Sequence, residues 1–202
     1  MQAERQPQYP LLYSLQGFRY CDLLLTDAER AAAGASRNTD DLDEVLRDVE
    51  QRVVKTLDWA ERHRSLLNIA LDHLTLGRVR LYQALLDGTA LDDAEPEIEA
   101  AVDGLRRAGD VGFLTLGLLT RAWLLFAQGH SDAARADLNE AEEIARRGSM
   151  QLYLADIALY RARFFHDRDA LLEARRLIDK HGYGRRLEEV AALEKASAGR
   201  SS

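Results

Sequence analysis

The chain has little cysteine and little proline. It contains one cysteine, Cys21, and three prolines in 202 residues. A single cysteine forms no intramolecular disulfide, which predicts a reducing, cytoplasmic location. Cys21 lies among apolar neighbours in the sequence, which favours a packed thiol over a nucleophile. Residues 1–7 are polar and lack the apolar core of a signal peptide, so we expect no export.

The motifs of nucleotide and zinc chemistry are also absent from the sequence. It has no Gly-Lys dipeptide for a Walker loop, no His-Glu-x-x-His and no Cys-x-x-Cys. We therefore predict no cofactor, no metal and no catalytic residue, and hence a protein that is not an enzyme. One alternative stays open, because all-α metal phosphohydrolases use a His-Asp dipeptide such as His166-Asp167, and His130 and Asp179 would complete that site. The competing interpretation is that Asp167 caps the following helix.

Basic residues are outnumbered by acidic ones, 27 to 34, which gives a net charge of −7. A phosphate-binding surface needs an excess of basic residues, so we predict no nucleic-acid partner. Four arginines near the C-terminus are interpreted as a solvated face: Arg175, Arg176, Arg185 and Arg186.

Long apolar runs are scarce, and Val111–Gln128 is the segment most similar to a membrane span. It carries one charge, Arg121, but it contains two glycines and is shorter than a typical span. We interpret it as a buried helix and predict no membrane contact.

The apolar spacing that remains is helical, and few alternating segments could form strands, so the sequence predicts an all-α fold. A first helix is expected from Pro10 to Ala33, and a second from a Thr39 cap to His63. Seven more are expected over 65–86, 91–108, 111–128, 131–147, 150–165, from Asp167 or Asp169 to 181, and over 185–196.

One helix pair recurs after 33 residues. Its apolar positions are Leu119, Ala122, Ala134, Leu138, Ala141 and Ile144, and the second copy has Leu152, Ala155, Asp167, Leu171, Ala174 and Leu177. A single helix pair cannot bury its own apolar face, so a spacing in this range predicts a stacked solenoid whose function is binding.

The chain resembles the tetratricopeptide repeat (TPR) family, whose unit is a helix–turn–helix. The matching residues are Leu76-Gly77, Gly129, Ala134, Ala141 and Ala174. The proline that closes most family units is replaced here by Gly109, Gly148 or Gly182, so the repeats are degenerate. The resemblance implies a single domain over 1–202, a right-handed α-solenoid of about four antiparallel helix pairs. The approximate repeats are 10–63, 65–109, 111–148 and 149–182, with a capping helix over 185–197.

Three blocks, 9–17, 67–77 and 181–186, resemble repeat regions attached to bacterial NTPase sensors. This resemblance implies a scaffold that binds a protein or peptide in a concave groove, as the sensor part of a larger signalling protein. The repeat register predicts seven partner-binding residues: Phe18, Arg78, Tyr82, Trp123, Phe126, Asp156 and Tyr160. Aromatic residues and arginine commonly anchor such contacts. Two alternatives stay open, that these residues pack between repeats, and that an apolar groove forms a homodimer.

Overall fold

The computed structural model describes residues 11–36 and 41–199, which form ten α-helices. They are α1 (Ser14–Leu24), α2 (Thr26–Ala32), α3 (Leu42–Arg62), α4 (Leu66–Asp87), α5 (Glu95–Ala108), α6 (Val111–Ala127), α7 (Ser131–Arg147), α8 (Gln151–Phe165), α9 (Arg168–His181) and α10 (Leu187–Gly199). A short 3₁₀ helix, Gly184–Arg186, precedes α10. No strand occurs in the described ranges, and the predicted all-α fold is confirmed.

The predicted first helix is wrong in its length, because the structure divides it into α1 and α2 at Leu25. The Thr26 hydroxyl donates a hydrogen bond of 3.2 Å to the Asp22 carbonyl. A threonine that bonds to the carbonyl four residues earlier competes with the backbone and often bends a helix. The predicted start at Pro10 and the predicted cap at Thr39 lie outside the described residues.

Helix α5 begins four residues later than predicted. The segment before it is a turn, in which the Ala94 amide bonds to the Leu91 carbonyl at 3.0 Å, and α5 starts at Glu95 with Pro96 in its first turn. A helix beginning at Leu91 would place Pro96 past the first turn, where its ring collides with the carbonyl four residues earlier. The proline therefore sets the start of α5.

The described residues group into two compact units. Unit 1 comprises residues 11–29 and 41–113, and unit 2 comprises residues 30–36 and 114–199. Helix α4 packs against both of its neighbours in sequence in unit 1, and α7 to α10 pack successively in unit 2, as stacked helix pairs require. The extent of a single repeat domain over 1–202 stays a prediction. Within the described part of the chain, no helix is long and apolar enough to cross a membrane.

In unit 1, α4 packs against α3 and α5, and α1 packs against α3 and α4. Helix α5 approaches α4 closely at Gly77, where a Cβ atom would lie 2.6 Å from Cγ1 of the buried Ile98. The glycine of the Leu76-Gly77 pair therefore permits the contact between these two helices. Gly109, in the left-handed region at φ 72°, ends α5, as glycine commonly does after a helix.

In unit 2, α8 packs against α7 and α9, and α10 packs against α8 and α9. Ala122 and Ala155, which are equivalent positions of the 33-residue repeat, are both fully buried. Leu152 departs from its counterpart Leu119, since it is exposed while Leu119 is buried. The core between α8, α9 and α10 contains Ala155, Ala158, Leu159, Ala174, Leu177, Ile178 and Val190.

Two arginines make ion pairs that help to hold unit 2 together. Arg121, the charge within the long apolar run, donates from Nε and Nη2 to the Asp137 carboxylate of α7 at 2.7 and 2.8 Å. Arg30 donates from Nη2 to the Arg185 carbonyl at 3.1 Å, and its Nη1 lies 3.7 Å from Oε2 of Glu188. Arg30, in the second half of α2, therefore contacts the segment that leads into α10 and the first turn of α10.

Candidate functional site

Three predicted partner-binding residues lie in unit 1, and all three are buried. The Phe18 ring contacts the Phe113 ring edge to face, with centroids 5.2 Å apart. Arg78 donates from Nε to the Tyr82 hydroxyl at 3.0 Å and from Nη1 to Asp22 at 2.8 Å. Its Nη2 lies 3.6 Å from the buried Glu29 carboxylate. These three side chains therefore make contacts within unit 1.

The charge of Arg78 is stabilised by these neighbours. Burial alone would lower the pKa of Arg78, but Tyr82, Asp22 and Glu29 outweigh burial and raise the pKa above its ordinary value. The guanidinium stays charged, and loss of either carboxylate would leave it undercompensated.

The aromatic residues Trp123 and Tyr160 of unit 2 are also buried, and their rings meet edge to face at 5.7 Å. The Arg163 guanidinium lies over both rings, 4.8 Å from the centroid of Trp123 and 5.1 Å from that of Tyr160. An arginine of the chain itself therefore makes cation–π contacts with both rings that the repeat register assigned to partner binding. Phe126 is half-buried and stacks on Phe164 at 4.5 Å.

Asp156 belongs to a buried ionic network. Its Oδ1 accepts a hydrogen bond from Arg186 Nε at 2.7 Å, and its Oδ2 accepts from the Tyr183 hydroxyl at 3.2 Å. Arg186 also donates from Nη1 to the Glu189 carboxylate at 2.5 Å, and Arg163 pairs with the other oxygen of Glu189. The interpretation of Arg186 as part of a solvated face is wrong, because Arg186 is buried by its pairing with Asp156.

Six of the seven predicted partner-binding residues thus have buried side chains, and Phe126 is half-buried. Their intramolecular contacts match the packing alternative that the sequence left open. Their role in partner binding stays a prediction. Arg163 and Arg186 were not singled out as binding or packing residues, since pairing over 26 to 30 residues leaves no local sequence signal.

An open groove lies elsewhere in unit 2, between α7, α8 and α9, with a volume of about 240 Å³. We call it the unit 2 groove. Its apolar lining comes from Leu154, Ile157, Ala158, Ala170 and Leu177, and its polar lining comes from Glu142, Arg146, Arg161, Asp167, Asp169 and Glu173.

The carboxylates along the unit 2 groove differ in how they are compensated. Glu142 accepts from Arg146 at 2.5 Å and lies 2.6 Å from Arg161. Burial alone would raise the pKa of Glu142, but the hydrogen bonds from Arg161 and Arg146 outweigh burial and lower it. Glu173 is held by both nitrogens of the Arg176 fork at 2.7 Å, which lowers the pKa of Glu173.

Asp167 and Asp169 form the acidic end of the groove. Asp167 accepts a hydrogen bond of 3.0 Å from the Ala170 amide, which is the helix cap predicted for it. The Asp169 side chain is exposed and forms no hydrogen bond or ion pair with another residue in the described ranges. In the described ranges neither carboxylate forms an ion pair, although Arg168 stands between the two in the sequence.

The geometry gives no support to the phosphohydrolase alternative. His166 takes a left-handed conformation with φ 55° between α8 and α9, and the Asp167 side chain caps α9. Across residues 11–36 and 41–199, no group of three or more His, Cys, Asp or Glu side chains could hold a metal ion.

Comparison with known proteins gave no match to a family model, a curated protein or a solved structure.

Proposed function

We propose that the protein is a non-catalytic protein-binding module and that the unit 2 groove holds a segment of its partner. The observation that carries this proposal is the combination of an apolar floor with the acidic end at Asp167 and Asp169. Grooves between helices commonly take a helical segment through its apolar side chains, while charge fixes its orientation.

The partner segment that fits the unit 2 groove has an apolar residue with a lysine or arginine beside it. The apolar side chain would cover Leu154 and Ala158, and the basic side chain would approach Asp169. Glu142 and Glu173 already have arginine partners and Asp167 caps α9, so Asp169 is the carboxylate left to recognise a cation. An acidic segment is disfavoured, because it would approach Asp169 with like charge.

The wider setting of the proposal comes from the TPR resemblance. We also propose that the chain consists of degenerate TPR-like repeats and that it is cytoplasmic and of bacterial origin. It would form the sensor part of a larger signalling protein. The close approach at Gly77 and the full burial of Ala134, Ala141 and Ala174 support it, because small residues are needed where repeat helices meet.

Site-specific photo-crosslinking in the cell of origin tests this proposal. We place a benzophenone amino acid at Ala170, which lines the groove, and at Asp103, which is exposed on α5 of unit 1. We expect a protein adduct from position 170 and none from position 103. Asp169→Lys should reduce the adduct at 170 about fivefold or more, since it reverses the charge that the partner meets.

Two results would overturn this proposal. The first is an equal yield of adducts at the two positions, and the second is an adduct at 170 that is unaffected by Asp169→Lys. An adduct with twice the mass of 22.7 kDa would instead identify a second copy as the occupant, which is the homodimer alternative.

A further inference from the structure

A second cavity lies in unit 1 between α1 and α3, with a volume of about 200 Å³. We call it the Arg52 cavity. Its lining consists of Leu11, Tyr20, Leu24, Asp48, Gln51, Arg52 and Lys55. It shares no residue with the unit 2 groove, so what it binds is independent of the proposed function.

The Arg52 side chain in this cavity lacks the partners that a guanidinium normally has. Its Nη1 is buried without a hydrogen-bond partner, and Arg52 makes no ion pair with any residue in the described ranges. Its observed contact is with the face of Tyr20, with Cζ 4.8 Å from the ring centroid. A guanidinium carries five N–H donors and stays charged, so a buried donor without an acceptor calls for a missing one.

The charges around Arg52 favour an anion with a single negative charge. Lys55 lies three residues further along α3 and adds a second positive charge, whereas Asp48 contributes a negative one. The formal balance of these three side chains is one positive charge. A carboxylate matches this balance and the planar fork of arginine, while a phosphate dianion would be repelled by Asp48.

The remaining lining of the Arg52 cavity favours an apolar body on that anion. Leu11, Leu24 and the Tyr20 ring supply apolar surface. A cavity of about 150 Å³ holds a benzene molecule. The extra volume here is what a carboxylate group attached to a ring of that size requires.

We propose that the Arg52 cavity is a binding site for a small organic monocarboxylate, with the carboxylate on Arg52 and Lys55 and the apolar body against Leu11, Tyr20 and Leu24. Binding of this kind needs no movement of the helices, because the cavity is already open, but the Arg52 side chain must rotate to bring its buried Nη1 to the ligand. Gln51 supplies a further amide donor at the rim.

Titration of the 202-residue protein with benzoate tests the proposal, using heteronuclear NMR shifts of the backbone amides. We expect saturable shifts at Tyr20 and Arg52. Benzamide, which lacks the charge, and inorganic phosphate, which lacks the ring, should each bind about tenfold more weakly or worse. Absence of saturation by benzoate would overturn the proposal, and so would equal affinity for either comparison compound.

Variants separate the role of Arg52 from a general effect of charge. Arg52→Gln should weaken benzoate binding about tenfold or more, and Lys55→Gln should weaken it about two- to fivefold. Arg47→Gln is the matched control, since Arg47 is exposed on the same helix and does not line the cavity. Far-UV circular dichroism verifies folding, and Lys55→Gln carries the test if Arg52→Gln does not fold. Equal weakening by Arg47→Gln and Lys55→Gln would contradict a specific site.

Discussion

Arg186 donates its Nε hydrogen to Asp156 across 2.7 Å, and both side chains are buried. The bond joins the segment that leads into α10 to the middle of α8. It uses the carboxylate that the repeat register assigned to a partner. Helix α10 is thus held to the other helices of unit 2 by ionic contacts as well as by apolar packing through Val190.

Removal of Arg186 should destabilise the protein strongly. Arg186→Met leaves the Asp156 carboxylate buried without its cation, which costs about 3–5 kcal/mol of unfolding free energy. The double variant Asp156→Leu, Arg186→Met should recover part of this loss, because it removes the Asp156 charge and leaves the buried Glu189 paired with Arg163. Urea denaturation followed by circular dichroism measures both. Arg176→Met is the control, and it should change stability little because Arg176 pairs with Glu173 at the surface.

The double variant also provides the decisive comparison. If it proves as unstable as Arg186→Met, the loss does not come from an uncompensated charge on Asp156.

Gly77→Ala should destabilise unit 1 even though alanine favours helices. The added Cβ would lie 2.6 Å from Cγ1 of Ile98 and 3.2 Å from the Ile98 amide nitrogen. Overpacking of this kind costs about 1–3 kcal/mol, which exceeds the gain of roughly 0.5–1 kcal/mol from replacing a helical glycine. Chemical denaturation measures the difference.

Gly112→Ala is the matched control, because its Cβ would meet nothing nearer than an Asp110 oxygen at 3.5 Å. It should leave stability unchanged or raise it slightly. A Gly77→Ala variant that gains stability like the control would show that α4 and α5 do not approach closely at this point.

Asp72 should make the protein less stable as the pH rises from about 4 to about 7. Burial raises the pKa of Asp72 from 3.8 to about 7, opposed by the hydrogen bond from the Thr56 hydroxyl at 3.1 Å. In this interval the unfolded chain releases the proton while the folded chain keeps it, so folding loses free energy. Cys21 is the other titratable group that interacts with Asp72, and burial raises the pKa of its thiol to about 11.

Asp72→Asn removes this titration and keeps the acceptor for Thr56. We expect the variant to exceed the parent protein in stability at about pH 8 by at least about 1 kcal/mol, with a smaller difference at about pH 5. Urea unfolding at the two pH values measures this, with Asp103→Asn as an exposed control. Parallel pH profiles for Asp72→Asn and the parent would contradict the raised pKa.

Asp167 offers a test between a helix cap and a metal ligand. Asp167→Ala removes the acceptor of the Ala170 amide and should cost about 1 kcal/mol. Asp167→Asn retains a capping oxygen and should stay close to the parent protein. Thermal unfolding with and without excess manganese chloride measures both effects. A melting temperature that rises with manganese in the parent, and does not rise in Asp167→Asn, would favour the phosphohydrolase alternative.

Most helix boundaries could be predicted from local chemistry. The predicted bounds of α7, 131 and 147, agree with the structure at both ends, because Gly129 and Gly148 flank a clear apolar period. The division at Leu25 could not be predicted, since the bond from Thr26 to Asp22 competes with a regular helix by a small free energy.

The candidate site was less predictable. Trp123 and Tyr160 are residue types common at binding surfaces, but in the folded unit they pack against each other and against Arg163. The unit 2 groove requires three helices in their final packing, and Asp169 looks in the sequence like any first-turn acid. The Arg52 Nη1 that has no acceptor could not be predicted either, because the fold decides which acceptors lie near it.

The contacts of Arg30 have a consequence for the order in which the protein is made. Unit 2 draws on residues 30–36 as well as on 114–199, and Arg30 bonds to the carbonyl of Arg185, 155 residues later. During synthesis Arg30 leaves the ribosome long before Arg185 has been translated. Most helices that pack together are, in contrast, consecutive in the sequence and are translated one after the other. The packing of helix on helix can proceed along the chain as it emerges, but the set of contacts in unit 2 is completed after translation of the last helix.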